Sequence, residues 1–268
     1  KRNRFQGPPV STLLKYKTNA GTRWQGGITL ENDAGENYFT KNQKTGFDFL
    51  SAHLYFTPGK VVQKICIGDY KIQWGQGLIA WGGFSSGKSS AALGNEKSGN
   101  GIMPYFSTDE NRFLRGGALS LQPSRDLTTE IFISYKKTDG NLLATDTLSP
   151  EAVQTATLHE TGYHRNTLEL EKKHTLKEFT TGLSTRFNHR YFRAGIQILH
   201  YNFSPALAIG KAAYQQYNDP GRHRTLVSID YKTGVRHFFL FGETARSNNG
   251  SWATIDGLRY TGFLPVAL

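Results

Sequence analysis

The segment FTTGLSTRF, residues 179–187, indicates the fold class, because its side chains alternate in character at nearly every step. Phe179, Leu183 and Phe187 share one face with two threonines, whereas the opposite face carries Thr, Gly, Ser and Arg. Successive side chains of a β-strand point to opposite faces, whereas a helix repeats every 3.6 residues. The segment therefore predicts a two-faced β-strand.

The same alternation recurs on both sides of this segment, at residues 50–56, 129–136, 193–198 and 225–231. One face is apolar or aromatic, and the other carries polar, charged or glycine residues. This pattern predicts a chain built mainly of strands. It does not choose between a soluble sandwich and a membrane barrel, since both place one strand face in apolar surroundings.

The connections between the strands make that choice. We expect short connections at residues 20–22, 58–59, 123–126, 188–190 and 232–234, and long ones at 32–46, 82–112, 138–175 and 204–222. The two kinds alternate along the chain, so in an antiparallel meander all the long connections lie at one end. Outer-membrane barrels have this asymmetry, whereas Greek-key sandwiches have no reason to keep it. A short helix, Leu168–Lys173, is predicted in the third long connection, with Asn166 or Thr167 as its cap and Glu169 as the capping-box acid.

Composition agrees with this interpretation. The apolar runs of the 268-residue chain are far shorter than the ~20 residues of a membrane helix, and the mean hydropathy is −0.49. The 29 glycines and 13% aromatic residues favour strands and tight turns. The single cysteine, Cys66, rules out an internal disulfide. We predict one all-β region over residues 1–268, an antiparallel up-and-down transmembrane β-barrel of about eleven strands.

The predicted strand number is odd, whereas single-chain bacterial barrels have even numbers, so we expect the chain to be truncated relative to a larger parent. Lys1–Thr12 contains no apolar signal core, which makes export an inference rather than an observation.

The net charge of +11 has two interpretations. Basic proteins often bind nucleic acid, but the charges here are scattered, which favours loops, a polar lumen or anionic headgroups as their place. Basic and aromatic residues interleave at His189–Arg193 and Tyr231–Phe239. Such segments bind single strands or form the interfacial girdle of a barrel, and we prefer the girdle.

Three motifs suggest chemistry without supporting it. GGFSSGKS, residues 82–89, matches the phosphate-binding P-loop pattern, but Ser90–Gly101 is too rich in glycine to form the helix that must follow. His159, Glu160 and His164 have the wrong spacing for a zinc-protease helix. The adjacent acids Asp109 and Glu110 point apart, which suits ordinary hydrogen bonding, a turn cap or calcium. We therefore predict no catalytic, metal or cofactor site.

A binding site, if the chain has one, is predicted in the long connection Gly82–Arg112 and next to it. Its Gly/Ser content and length suit a loop that folds into or over a lumen. The candidate residues either line a constriction or tie the loop to the wall; they are Gln76, Lys88, Asp109, Asn111 and Arg112.

Four ordered blocks resemble the barrel region of large Bacteroidetes outer-membrane proteins known as helix-hairpin-helix-containing proteins. The blocks are GDYKIQWGQGL at 68–78 with Trp81, Gly82, Phe84, Gly87, Lys88 and Ser89; GIMPY at 101–105 with DENRFLRG at 109–116; GYHR at 162–165; and FGETARSNNG at 241–250. The resemblance covers most of the chain and implies a barrel in the outer membrane. The DNA-binding helix-hairpin-helix segment of that family is absent from these residues.

The sequence therefore predicts a non-enzymatic outer-membrane protein that contacts the lipid bilayer and serves as a channel, a transport or secretion component, or a surface platform. One alternative is a DNA-binding or DNA-uptake protein, which the positive charge favours. A P-loop enzyme and a soluble β-sandwich binding module are further alternatives.

Overall fold

The protein is described here from a computed structural model of the chain. The structure describes residues 5–39, 46–82, 96–97, 99–143, 155–159, 161–208 and 219–262. Lys88 and residues 83–89 of the P-loop-like motif lie outside this part of the chain, as does Glu160.

The described residues form fourteen strands and one short helix, joined by turns and loops. In chain order they are β1 Thr12–Ala20, β2 Trp24–Asn32, β3 Phe49–Phe56, β4 Val62–Gln73, β5 Gly101–Pro104, β6 Leu114–Leu121, β7 Leu127–Thr138, β8 Gly140–Leu143, β9 Thr155–Leu158, α1 Thr167–Leu170, β10 Leu176–Asn188, β11 Phe192–Leu207, β12 Gly221–Val235, β13 Phe238–Ser247 and β14 Trp252–Tyr260.

The strands form one sheet, in which eleven follow each other in the order β1-β2-β3-β4-β6-β7-β10-β11-β12-β13-β14. All neighbours on this path are antiparallel, and the short strands β5, β8 and β9 are attached beside it. The predicted up-and-down antiparallel sheet is thus confirmed, and its main path has the expected eleven strands. Within the described residues β1 and β14 do not pair, so the sheet is not closed.

Short and long connections alternate as predicted, from β1 as far as the β12–β13 turn. The turn predicted at residues 232–234 was wrong, because these residues belong to β12 and the turn lies at Arg236–His237. Gly234 instead pairs with Phe239 in the antiparallel ladder between β12 and β13, where a Cβ would lie 2.9 Å from the Phe239 ring. The connection between β13 and β14, residues 248–251, is short although it lies at the end of the long ones.

The predicted helix is present but shorter than expected, since α1 ends at Leu170. The Asn166 side chain accepts a hydrogen bond from the Glu169 amide at 3.0 Å and so caps the helix. The Glu169 carboxylate accepts the Arg165 amide and also binds its guanidinium group, instead of reaching the amide of the cap itself. No helix among the described residues has the length and apolar character needed to cross a bilayer.

The two faces of the sheet are inverted relative to a water-soluble protein. In β7, Ile131, Ile133 and Tyr135 are about half exposed. Their neighbours on the other face, Glu130 and Ser134, are buried. The same inversion holds in β10 and β11, where apolar side chains point outward and Thr180, Ser184 and Gln197 are fully enclosed. The predicted alternation is therefore confirmed, and the polar face is the inner one.

One segment fills the inner side of the sheet. β4 pairs with β3 only as far as Gly68, and beyond it β5 replaces β3 as the partner of β4, from Tyr70 to Gln73. The end of β4 is buried on both faces. We call residues 69–82 and 99–105 the inner segment; its apolar side chains pack on inward-facing wall residues in the main core. The Trp74 and Phe132 rings lie 5.5 Å apart in that core.

Gly68 allows this departure, and its replacement should be costly. Its φ is +95°, and a Cβ would lie 2.2 Å from the carbonyl oxygen of Ala52. We expect Gly68→Ala to lower the free energy of unfolding by ~2 kcal/mol or more, since it adds backbone strain to a clash. Urea unfolding followed by tryptophan fluorescence measures the change. Gly117→Ala in β6 is the matched control, because nothing lies within 4 Å of a Cβ there; equal effects of the two changes would contradict this account.

Candidate functional site

The carboxylate of Glu243, on the inner face of β13, holds the tip of the inner segment. One of its oxygens, Oε2, accepts the backbone N–H groups of Gln76 at 2.7 Å and of Leu78 at 3.1 Å. The chain can wrap the carboxylate this closely because Gly75 has a φ of +53° and a Cβ there would lie 2.7 Å from Oε2. Two nearby N–H groups that converge on one oxygen make a local anion-binding nest, so this contact ties the segment to the wall.

A second inner carboxylate holds the segment from another side. The indole Nε1 of Trp74 donates to Glu130 Oε2 at 2.7 Å, and the amide of Ile102 donates to Glu130 Oε1 at 3.4 Å. Glu130 is on β7, and Trp74 and Ile102 are buried in the core. The wall acid thus joins the two halves of the inner segment.

Three basic side chains of the sheet, near the end with the short turns, contact the connection between β4 and β6. Lys232 and Arg259 both form ion pairs with Glu96, which lies further along the β4–β6 connection than the Glu243 nest. Lys64 donates to the carbonyl oxygens of Asn100 at 2.6 Å and Ile102 at 3.2 Å. The connection between β4 and β6 therefore enters the inside of the sheet, as its length and composition predicted.

A second polar group, which we call the loop cluster, lies among the long connections and consists of Glu36, Asp48, Glu110, Asp139 and His164. His164 is buried, with Nδ1 2.5 Å from Asp48 and Nε2 2.8 Å from Asp139. Its backbone N–H donates to Glu36 at 2.8 Å. The cluster joins residues of three connections, those between β2 and β3, β4 and β6, and β7 and β10.

The protonation of the cluster follows from its crowding of acids. Burial lowers the pKa of His164, but the hydrogen bonds and charges of Asp139 and Asp48 outweigh it and raise the pKa to about 9. Burial and the Asp48 charge raise the pKa of Glu110 to about 9 and that of Glu36 to about 7. At neutral pH the cluster therefore contains an imidazolium held between two aspartates and a protonated Glu110.

The donor atoms of this cluster pair with one another. Oxygens of Glu36 and Asp48 and a ring nitrogen of His164 lie within 4.8 Å of one another, which is the size of a metal site. Both ring nitrogens of His164 already contact carboxylates, so its partners in the structure are Asp48 and Asp139. Lys173 further neutralises Asp48 across 2.5 Å. The cluster is best described as a charged clasp that holds the connections together.

The structure divides the predicted site residues between two places. Gln76 is buried in the inner segment, where its side-chain oxygen accepts the Lys97 amide at 3.0 Å. Asp109, Asn111 and Arg112 instead form a turn at the end of the long connections, in which the Asp109 carboxylate caps the amides of the other two. The role of the five residues, as the lining of a constriction or as ties between the loop and the wall, stays a prediction, and Lys88 lies outside the described residues.

Asp109 and Glu110 point apart, as their adjacent positions in the sequence predicted. Asp109 caps its turn, whereas Glu110 points away toward Gly162 and the loop cluster. The segment His189–Arg193 lies at a short turn, and Tyr231–Phe239 consists of the end of β12, the turn and the start of β13. Their role as an interfacial girdle stays a prediction.

Sequence reasoning missed the loop cluster and the Glu243 nest. His164 drew attention only as part of a rejected zinc motif, and its partners Asp48 and Asp139 are 116 and 25 residues away along the chain. The one usable signal for the nest was the tripeptide Gly75-Gln76-Gly77, whose glycines both have positive φ.

Comparison with known proteins adds little to this geometry. No family model matches the chain, and no curated protein matches it. Among solved structures, the chain is similar to a loop L8 deletion mutant of OmpT, an outer membrane protein of Vibrio cholerae. The two are 10% identical with a TM-score of 0.33, and the match covers 92% of this chain and 76% of that one. A similarity this low carries no conclusion about function.

The loop cluster should make stability depend on pH. The pKa values of His164, Glu110 and Glu36 are all raised, so each holds a proton in the folded state over a range in which the unfolded state has released it. The range runs from 4.5 to about 9 for Glu110, from 4.5 to about 7 for Glu36 and from 6.5 to about 9 for His164. A state that binds more protons loses stability as the pH rises. We expect the free energy of unfolding to fall by at least ~1 kcal/mol from pH 6 to pH 9, with the His164 contribution complete below its ordinary pKa of 6.5 and lost through about 9.

Glu110→Gln isolates one part of this effect, since an amide does not ionise. The variant should keep more of its stability at pH 9 than the parent chain does, as judged by urea midpoints at both pH values. Glu171→Gln, which removes an exposed carboxylate, is the control. If the Glu110 and Glu171 variants show the same pH dependence as the parent, Glu110 does not contribute to it.

Proposed function

We propose that the chain forms the wall of a β-barrel in the bacterial outer membrane, with its apolar face in lipid. The observation that supports this proposal is the inversion of the sheet, in which Ile131, Ile133 and Leu183 are exposed while Glu130, Thr180 and Ser184 are buried. Apolar surface is stable against lipid, whereas a large contiguous apolar patch in water is unfavourable. Within the described residues no second sheet or helical layer covers this face, which argues against the soluble sandwich.

Strand length fits the same environment. A strand rises ~3.3 Å per residue, so at a tilt of ~40° twelve residues climb about 30 Å, enough to cross an apolar band ~25 Å tall. β7 has 12 residues, β10 has 13 and β11 has 16. Aromatic side chains are exposed near both ends of this span, as in the interfacial girdles of such barrels; they are Tyr135, Phe179, Phe187, Tyr191 and Phe192.

We propose further that the wall encloses a gated passage and that the inner segment is its gate. The segment crosses the inside of the sheet, where its apolar side chains pack in the main core. Its polar contacts with the wall include the Glu243 nest and the Trp74–Glu130 hydrogen bond. A non-enzymatic role suits the site, because the buried His164 is held between two carboxylates and has no free nitrogen to act as a base. DNA binding stays a prediction, which a salt-dependent titration would test.

Lipid contact can be tested with the natural tryptophans. Trp24 and Trp252 are exposed, whereas Trp74 is fully buried. Bromine attached to acyl chains quenches indoles that touch lipid, so we expect brominated phosphatidylcholine vesicles to quench the reconstituted protein. The double variant Trp24→Phe/Trp252→Phe should lose most of this quenching, and Trp81→Phe, in the inner segment, should keep it. Equal quenching in both variants would contradict the proposed orientation.

The gate can be tested at Glu243. We expect Glu243→Ala to release residues 75–78, because two backbone donors lose their acceptor. Planar-bilayer conductance should rise at least about threefold, since a lost hydrogen bond to a charged group costs ~1.5–3 kcal/mol in the closed state. Glu243→Gln keeps an acceptor oxygen at the same place and is the control. An alanine variant as closed as the glutamine variant would show that the inner segment is not a gate held by this residue.

A further inference from the structure

Two lysines face each other on the outer side of the sheet, near the end where the long connections lie. Lys137 of β7 and Lys177 of β10 are register partners, and both side chains are exposed. Directly opposite residues of an antiparallel pair have Cβ atoms ~4.5–5.5 Å apart, and like charges placed so destabilise the pair. Among the described residues neither lysine has an ion-pair or hydrogen-bond partner. A bound anion would turn this repulsion into attraction.

The position of the two lysines indicates which kind of anion would bind there. The next outward-facing pair along the two strands is Tyr135 with Phe179, followed by Ile133 with Thr181 and Ile131 with Leu183. Moving down from the lysines, the outer surface thus changes from cationic to aromatic to apolar within a few residues. Such an order matches the headgroup, interface and acyl-chain levels of a bilayer leaflet.

An apolar groove lies on the same face, beyond the Tyr135–Phe179 pair. It has a volume of about 710 Å³, and its lining includes Ile67, Gly117, Ile133 and Leu183. Gly117 makes the depression, because it lies between the register partners Ile67 and Ile133 and has no side chain. A Cβ at Gly117 would meet nothing within 4 Å. The groove therefore has room for a flexible apolar chain.

We propose that Lys137 and Lys177 bind the phosphate of an anionic membrane lipid and that one acyl chain of this lipid lies in the Gly117 groove. The proposal rests on the outer-membrane function proposed above. Two ammonium groups on adjacent strands reach phosphate oxygens without crossing the apolar belt, and basic residues near the membrane surface attract anionic lipids. A free phosphate ion has the same charged oxygens as the headgroup, but it has no acyl chain to occupy the groove.

The test uses the purified protein in a neutral detergent, titrated with phosphatidic acid and with phosphatidylcholine and followed by native mass spectrometry. The parent chain should retain phosphatidic acid about tenfold more strongly than phosphatidylcholine, and Lys137→Gln/Lys177→Gln should lose most of this preference. Lys60→Gln/Arg125→Gln removes the same charge at exposed positions at the short-turn end and should keep it. Equal loss in both double variants, or no loss in the first, would overturn the site.

A third variant separates the lipid from a free anion. Gly117→Leu fills the groove and should weaken phosphatidic acid binding several-fold, whereas the affinity for inorganic phosphate should not change. If inorganic phosphate displaces the lipid and Gly117→Leu has no effect, the ligand is phosphate alone and the lipid proposal is wrong. Bromolipid quenching that persists without any preference for phosphatidic acid overturns this proposal alone, whereas absence of quenching overturns the outer-membrane function.

Discussion

The structure depends on one constraint: the polar face of the sheet is turned inward, and the buried charges on it need partners. A buried carboxylate without hydrogen bonds costs several kcal/mol, so apolar packing alone cannot fill this interior. The inner segment supplies donors where the wall supplies acceptors. Backbone amides approach Glu243, the Trp74 indole approaches Glu130, and wall cations reach Glu96 or carbonyl oxygens. The segment and the wall therefore require each other.

The same constraint explains why β4 leaves the sheet where it does. A strand that turns inward exposes its ladder of N–H and C=O groups, which must be paired elsewhere. β5 takes over this pairing from Tyr70 onward, while β6 keeps the other edge of β4 up to Tyr70. Gly68 is the residue at which the exchange occurs, because only a residue without a Cβ passes so close to the Ala52 carbonyl. The inward turn thus preserves backbone hydrogen bonding at nearly every step.

Much of the wall could be predicted from the sequence, and little of the interior could. Strand faces and connection lengths are local properties, so the alternation around Leu183 and the order of short and long connections were predicted correctly. The interior depends on contacts between distant residues: Gln76 and Glu243 are 167 positions apart, and His164 and Glu36 are 128 apart. No period or spacing encodes such pairs. At Gly234 a local signal was misleading. The glycine suggests a turn, but it lies within β12 and leaves room for the ring of Phe239.

The positions of the basic side chains in the structure explain the excess of positive charge. Inside the sheet Arg193 pairs with Asp230, and Lys232 and Arg259 share Glu96, so most of this positive charge is offset locally. Within the part of the chain that the structure describes, Lys137 and Lys177 have no such partner, and they lie above an aromatic and apolar surface. The net charge of +11 therefore fits the proposed wall, in which interior cations are paired and the rim meets anionic headgroups. The distribution of the charges, rather than their sum, therefore decides which kind of partner the protein attracts.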